Sequence, residues 1–120
     1  MNILVCVKQV PDTTEIKIDP VTNTLIRNGV PSIVNPFDGY ALEAAARIKD
    51  KHPDTRIIVL SMGPEQAKNA LKECLGIAAD KAYLISGRAF GGSDTLATSY
   101  ILSCAFKKIA ELEGGFDAIF

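Results

Sequence analysis

The residues best suited to chemistry in this sequence are hydroxyls and amides grouped around glycines, with no nucleophile set beside a base. Phe90-Gly91-Gly92-Ser93-Asp94-Thr95-Leu96-Ala97-Thr98-Ser99 joins a glycine pair to a run of helix-capping side chains. Thr95 and Thr98 lie three apart, so both fall on one face of a first helical turn, where unpaired backbone N–H groups and the helix dipole attract an anion such as a pyrophosphate. The same residues also make an ordinary capped start, because Ser, Asp and Thr populate helix N-termini whatever the function. Ser61-Met62-Gly63-Pro64 is a tight strand-to-helix turn in which Gly63 permits close backbone approach and Met62 can lay a polarizable sulfur over a flat ring; spacing alone makes it a plain βα turn. Asn35-Pro36-Phe37-Asp38 opens a helix whose amides can face a ligand, although Asp38 disfavours a phosphate placed directly there. Val7-Lys8-Gln9-Val10-Pro11-Asp12-Thr13 supplies one cation, Lys8, able to meet a phosphate or to stay solvated.

Several chemistries are excluded by count. His52 is the only histidine, so neither a histidine-based triad nor a multi-histidine metal site can be assembled. Cys6, Cys74 and Cys104 are odd in number and lack C-x-x-C spacing, which argues against a disulfide framework or a zinc site; each sits in an apolar stretch and reads as a small buried hydrophobe. Neither a G-x-G-x-x-G fingerprint after the first strand nor a G-x-x-x-x-G-K-[ST] loop is present. No residue is assigned a bond-making role. A net charge of −1 offers no basic surface for nucleic acid. No apolar run approaches the roughly 20 residues needed to span a bilayer, and no charged n-region or cleavage site follows Met1, so no membrane insertion and a cytoplasmic location are expected.

The elements that must position these groups follow from periodicity. Ile3–Val7, Ile57–Ser61, Ala82–Ser86 and Phe116–Phe120 are near-continuously apolar, as strands buried on both faces of a parallel sheet should be. Ile16 and Ile18, then Asp19-Pro20-Val21-Thr22-Asn23, then Leu25-Ile26 read as a β-hairpin excursion after strand one. Three helices link the runs. The first is capped by Asn35, with Phe37, Ala41, Ala44, Ala45 and Ile48 on its buried face; the second is opened by Pro64, with Ala67, Ala70, Leu71, Cys74 and Leu75 inward and Gly76 as a left-handed cap. The third is capped by Ser93 or Asp94 and runs to about Leu112, with Ala97, Ile101, Cys104 and Ala105 inward and Gly114-Gly115 ending it. Strand alternating with helix predicts an α/β, Rossmann-like doubly wound, mainly parallel sheet within one nucleotide-binding domain over residues 1–120. If the order reverses after the third strand, strand four lies beside strand one and their C-terminal ends frame the ligand crevice, with strand four central and covered on both faces. Because no helix follows Phe120, the expectation is the N-terminal portion of a longer, truncated domain.

Taken in order, Val5 to Thr13, Asn35 to Asp38, Ser61 to Pro64, Ala78-Ala79-Asp80, Asp94 to Ser99 and Phe116-Asp117-Ala118-Ile119 resemble electron transfer flavoprotein β subunits across essentially all 120 residues. The resemblance implies an adenine-nucleotide α-hydrolase-like fold, an αβ heterodimer with an electron transfer flavoprotein α subunit, dehydrogenase partners, and AMP in the crevice. The Val-Pro-Asp-Thr and Gly-Gly-Ser-Asp-Thr segments look more like the electron-bifurcating branch, for which the resemblance implies FAD at this place, taking a hydride from NADH and dividing its electrons between two acceptors. Carried over by position, Cys6 lines the adenine pocket through its backbone, and Asn35, Pro36, Phe37, Asp38 and Met62 shape the same site. Asp94, Thr95 and Thr98 complete the implied set, with the threonines matching hydroxyls near the flavin and its diphosphate. The family's acidic, glycine-containing nucleotide loop falls beyond Phe120. The alternative reading is a non-redox adenine-nucleotide module resembling universal stress proteins.

Overall fold

The computed structural model describes residues 1–12, 17–26 and 31–120. The first apolar run forms β1 (Asn2–Cys6), followed by two short strands, β2 (Gln9–Pro11) and β3 (Ser32–Val34), and helix α1 (Pro36–Lys51). Next come β4 (Arg56–Met62), α2 (Lys68–Ile77), β5 (Lys81–Ile85), α3 (Thr95–Glu113) and β6 (Ala118–Ile119). The four apolar runs pair in parallel in the order β5-β4-β1-β6, so the reversal after the third strand occurs as expected. Among the described residues β6 pairs with β1 alone and stands at the sheet's edge, in contrast to the central place expected for it.

Alternation at period two sorts the strand side chains. Ile3, Val5, Ile57 and Val59 pack under α1 and α2 with Leu42, Ala45, Leu71 and Cys74, whereas Leu4, Ile58 and Leu60 pack under α3 with Ile109, Leu102, Ala105 and Phe106. Helices on both faces make the sheet doubly wound, with the core on either side of β1 and β4.

The excursion between β1 and α1 is wider at its base than the sequence reading. The hairpin is present as a bridge between Ile18 and Leu25, closed by Asp19 accepting from the Val21 amide at 2.8 Å, while Ile16 lies outside the described residues. Gln9–Pro11 and Ser32–Val34 add a separate antiparallel ribbon. Three-residue strands, one of them holding a proline, carry no periodic signal; Pro11 is tolerated because a two-stranded ribbon has only edges.

Two inward faces, those of α1 and α3, are rotated from their expected positions, and α2 differs at one residue. On α1 the buried stripe is Leu42 and Ala45 flanked by Ala41 and Ile48, while Phe37 is 75% exposed and Ala44 is exposed. At 100° per residue Phe37 and Ala44 fall roughly 80° and 100° around the helix from Ala45. On α2 the inward set holds except Leu75, which is exposed, and Gly76 is not the cap. The helix continues to Ile77, and the amides of Ala78 and Ala79 both donate to the Cys74 carbonyl at 3.0 Å, closing it without a left-handed residue. On α3 Ala97 and Cys104 are exposed, lying roughly 120° and 140° around the helix from the buried Ile109. Cys104 is therefore not a buried hydrophobe, Cys6 is half-buried, and only Cys74 is fully enclosed; burial pushes the Cys74 thiol up to about 11. Gly114 ends α3 at φ 86°, the left-handed conformation that glycine adopts at no steric cost.

Candidate functional site

The C-terminal ends of β1 and β4 and the N-terminal turns of α1 and α3 meet at one edge of the sheet, because each helix runs antiparallel to the strands it covers. Cys6 ends β1, its amide donating to the Phe120 carbonyl at 2.8 Å, and pairs in register with Leu60. Leu60 faces α3, so Cys6 faces α3 too; Met62, in register with Ile85 of the same cluster, follows suit. Both sulfur side chains are half-buried on this face. Burial, and then the negative charge of Asp38, pushes the Cys6 thiol up.

Asn35 caps α1, its Oδ1 accepting from the Phe37 amide at 3.4 Å, and Pro36 occupies the first helical position, where a missing N–H costs nothing. Asp38 Oδ2 accepts the Lys8 amide at 2.7 Å, and the Asn35 amide donates to the Lys8 carbonyl at 2.8 Å. The segment after β1 is thereby pinned on both sides to the start of α1. The Phe37 ring stands at the surface, edge-on to Tyr40 with centroids 6.1 Å apart.

On the other helix Asp94 is the cap, its Oδ1 accepting the Ala97 amide at 2.8 Å, and the preceding glycine pair allows the turn, Gly92 sitting at φ 74°. Ser93 is taken up by the Phe90 carbonyl at 2.7 Å. An open hollow of about 390 Å³ lies against this helix start, lined by Lys8, Ser93, Asp94, Thr95, Thr98, Ser99 and Leu102. Replacing Asp94 by alanine is expected to cost about 1 kcal/mol of stability through the lost cap, with Asp94→Asn retaining most of it; urea midpoints of the two variants measure the difference.

Of the expected residues, Asp94, Thr95 and Thr98 share this hollow, and Asp38 and Asn35 connect to it through the Lys8 backbone. Cys6 and Met62 lie on the same sheet face but outside its walls, and Phe37 points away to solvent. Among the described residues Lys8 is the one lining cation, a position legible only as a residue two beyond the end of a strand. Gln9 and Ser61, both buried, leave Oε1 and Oγ without partners, but Ser61 alternates onto the face of Ile57 and Val59, opposite the hollow, and Gln9 donates to the Gln66 carbonyl at 3.2 Å beside α2. A larger hollow of about 510 Å³ lies between the last turns of α1 and α2, at the opposite edge of the sheet; its lining lysine, Lys49, already pairs with Asp80 at 2.5 Å. There, burial pushes the Asp80 carboxyl up, but hydrogen bonds from Lys49 and the Ile57 amide outweigh it and hold the group below its ordinary value.

Comparison with known proteins places this arrangement. The chain is 62% identical over 114 residues to electron transfer flavoprotein subunit beta of Megasphaera elsdenii, an alignment covering 95% of this chain and 42% of the relative. It is 60% identical over 113 residues to the caffeyl-CoA reductase-Etf complex subunit CarD of Acetobacterium woodii, covering 94% and 43%. It is 55% identical over 111 residues to protein FixA of Azotobacter vinelandii, covering 92% and 39%. The chain thus spans less than half the length of these curated relatives. A family model described as the electron transfer flavoprotein domain matches residues 22–120. With the Rossmann-like sheet and the crevice at its reversal already in place, this match assigns the chain to the electron transfer flavoprotein family.

Proposed function

We propose that this chain forms the nucleotide-holding N-terminal part of an electron transfer flavoprotein β subunit of the bifurcating type, binding FAD, or AMP in its place, beside an α subunit. The observation that carries the reading is the hollow at the reversal of the sheet, which Lys8, Thr95 and Thr98 line together. The residues fit such a ligand. A cation and several hydroxyls suit phosphate and ring-edge oxygens, and the half-buried sulfurs of Cys6 and Met62 offer a soft apolar surface to a flat ring on the same sheet face.

When bound, the cofactor supplies the redox chemistry; these residues bind and orient it, and none makes or breaks a bond. With the α subunit the protein transfers electrons between NADH or acyl-CoA-type dehydrogenases and other acceptors. The names of the relatives, a β subunit and a subunit of a reductase-Etf complex, favour this reading over a lone nucleotide sensor resembling universal stress proteins. Among the described residues no helix is long and apolar enough to cross a membrane.

The test is to purify the full-length protein with its companion subunit and count bound cofactors. Two FAD per heterodimer is the expected result. One FAD with AMP would remove the bifurcating version, and ATP without flavin or companion would favour the sensor.

A further inference from the structure

Two features have no part in the crevice: Phe37, which stands at the surface of α1, and the hairpin that follows β1. Residues 17–26 of that hairpin are exposed throughout apart from the half-buried Asp19, and Val21 at its turn is 90% exposed. The amides of Asp19, Asn23 and Ile26 donate within the hairpin, to the carbonyls of Thr24, Asp19 and Lys17. Hydrogen bonds thus shape the arm, yet Ile18, Val21, Leu25 and Ile26 stay uncovered. A two-stranded hairpin by itself is marginal in water, so an arm carrying such aliphatic side chains calls for a surface to lie on. The β2–β3 ribbon beside it ends at Val34, one residue before the cap of α1, and Phe37 and the 70% exposed Tyr40 follow at the start of that helix. Arm and aromatic pair are therefore displayed from the same edge of the sheet.

Charge, area and topology narrow what covers them. Lys17 and Asp19 are the only charged residues of the arm and cancel, while Asp38 at the start of α1 is taken up by the Lys8 amide. Such a surface suits an apolar protein face and offers little to an anionic membrane or a nucleic acid. The four aliphatic side chains and the two aromatic ones together expose roughly 500 Å² of apolar area. Each partner of a standard interface buries about 800 Å², about 60% of it apolar, which is the same scale. A further strand beside β6 would be reached by a right-handed crossover on the side of α3, as β6 itself is from β5, so a continuation of this chain is directed away from α1. We propose that the hairpin arm and the aromatic pair of α1 form the seat of the companion subunit, which meets them with an apolar, weakly charged face. The proposal rests on the reading of this chain as one subunit of a pair and adds where the pair joins.

The experiment purifies the full-length protein in complex with its companion subunit and follows dissociation on dilution by sedimentation velocity. Val21→Glu and Tyr40→Glu should each raise the dissociation constant about tenfold or more, because each carries a charge into an apolar contact. Ile77→Glu, on an exposed side chain at the opposite edge of the sheet, should stay within about twofold. The urea midpoint of the protein by itself should not move in either arm or helix variant, since both side chains are exposed. Val21→Thr, close in shape but carrying a hydroxyl, should weaken the complex in the same direction and keeps the test open should glutamate disturb folding. An intact complex whose dissociation constant is unmoved in these variants overturns the proposal. So does a fall in the midpoint of the isolated protein without loss of pairing, which would assign the patch to a cover from this chain. A self-dimer of the isolated protein that Val21→Glu splits would assign it to a second copy and overturn the proposal equally. Failure of the unmodified protein to pair at all would remove the subunit reading as well.

Discussion

Ile58→Ala is expected to lower folding stability by about 2–5 kcal/mol. Ile58 lies within β4, a strand flanked by β1 on one side and β5 on the other, and is 0% exposed. It belongs to the cluster of Leu4, Leu60 and Ile109 on which Leu102, Ala105 and Phe106 of α3 rest. With strands on both sides, the backbone cannot collapse into the vacated volume, so the cavity cost adds to the lost transfer energy. Domains of this size retain only about 5–15 kcal/mol in total, so the variant should sit near the limit of folding. Because this cluster also seats α3, the hollow at the start of that helix should lose its shape as stability falls. Urea unfolding at constant slope measures the change. Tyr100→Ala serves as the control: Tyr100 is 71% exposed on the outer face of the same helix, and its truncation should shift stability by no more than about 0.5 kcal/mol. Equal losses in the two variants would mean that the assignment of α3 faces is wrong.

Glu113→Gln should abolish much of the acid sensitivity of the fold. Glu113 closes α3, and its side chain is only 3% exposed. Its carboxylate accepts from Lys81 Nζ at 2.5 Å, from the Tyr83 hydroxyl and from Arg56 Nη2 at 2.8 Å, tying the end of the helix to the first residues of β4 and β5. The hydrogen bond from Lys81, then that from Tyr83, hold the carboxyl down at about 2 against an ordinary value of 4.5, with burial opposing and Arg56 assisting. A carboxyl depressed in the folded state contributes stability that is fully present above the unfolded value and is lost as pH falls toward the folded one. The unmodified protein should therefore lose this contribution between pH 4.5 and about 2. Glu113→Gln should be less stable at neutral pH, where Lys81 and Arg56 face an uncharged partner, and the gap should narrow through that window. Asp80, also held below its ordinary value, titrates in both proteins, so the difference between the two urea-midpoint curves is the quantity that decides. Parallel curves from pH 7 to pH 2.5 would show that Glu113 carries no such linkage.

Much of this architecture was legible in the residues. Near-continuous apolar runs announced the four parallel strands, and Asn35-Pro36 and Gly114 marked helix ends correctly, because caps and left-handed turns depend on local chemistry alone. The rotations of α1 and α3 were not legible. Both helices carry apolar residues on more than one face: Phe37 and Tyr40 on α1, Leu96 and Tyr100 on α3, all 70% exposed or more. Where several stripes satisfy the period, the sheet beneath selects one, and the local pattern holds no record of which. Cys104 was misplaced for the same reason. The ribbon of Gln9–Pro11 with Ser32–Val34 escaped notice because three-residue strands gain their order from a partner more than twenty positions away.

The candidate site divides along the same line. Residue types and spacing alone determined that hydroxyls stand at the start of a helix after a glycine pair, that Asn35 caps another helix, and that no catalytic base or metal cluster built on histidine is available. Tertiary structure alone decided that Lys8 belongs with Thr95 and Thr98, since the segment bearing it is carried there by β1 and pinned by a carboxylate 30 residues away. Capping is a contact between residues a few positions apart, so it is written into short stretches of sequence. A binding crevice is a meeting of strand ends and helix starts that are adjacent only once the sheet has ordered its strands, and that ordering is set by the packing of both faces at once.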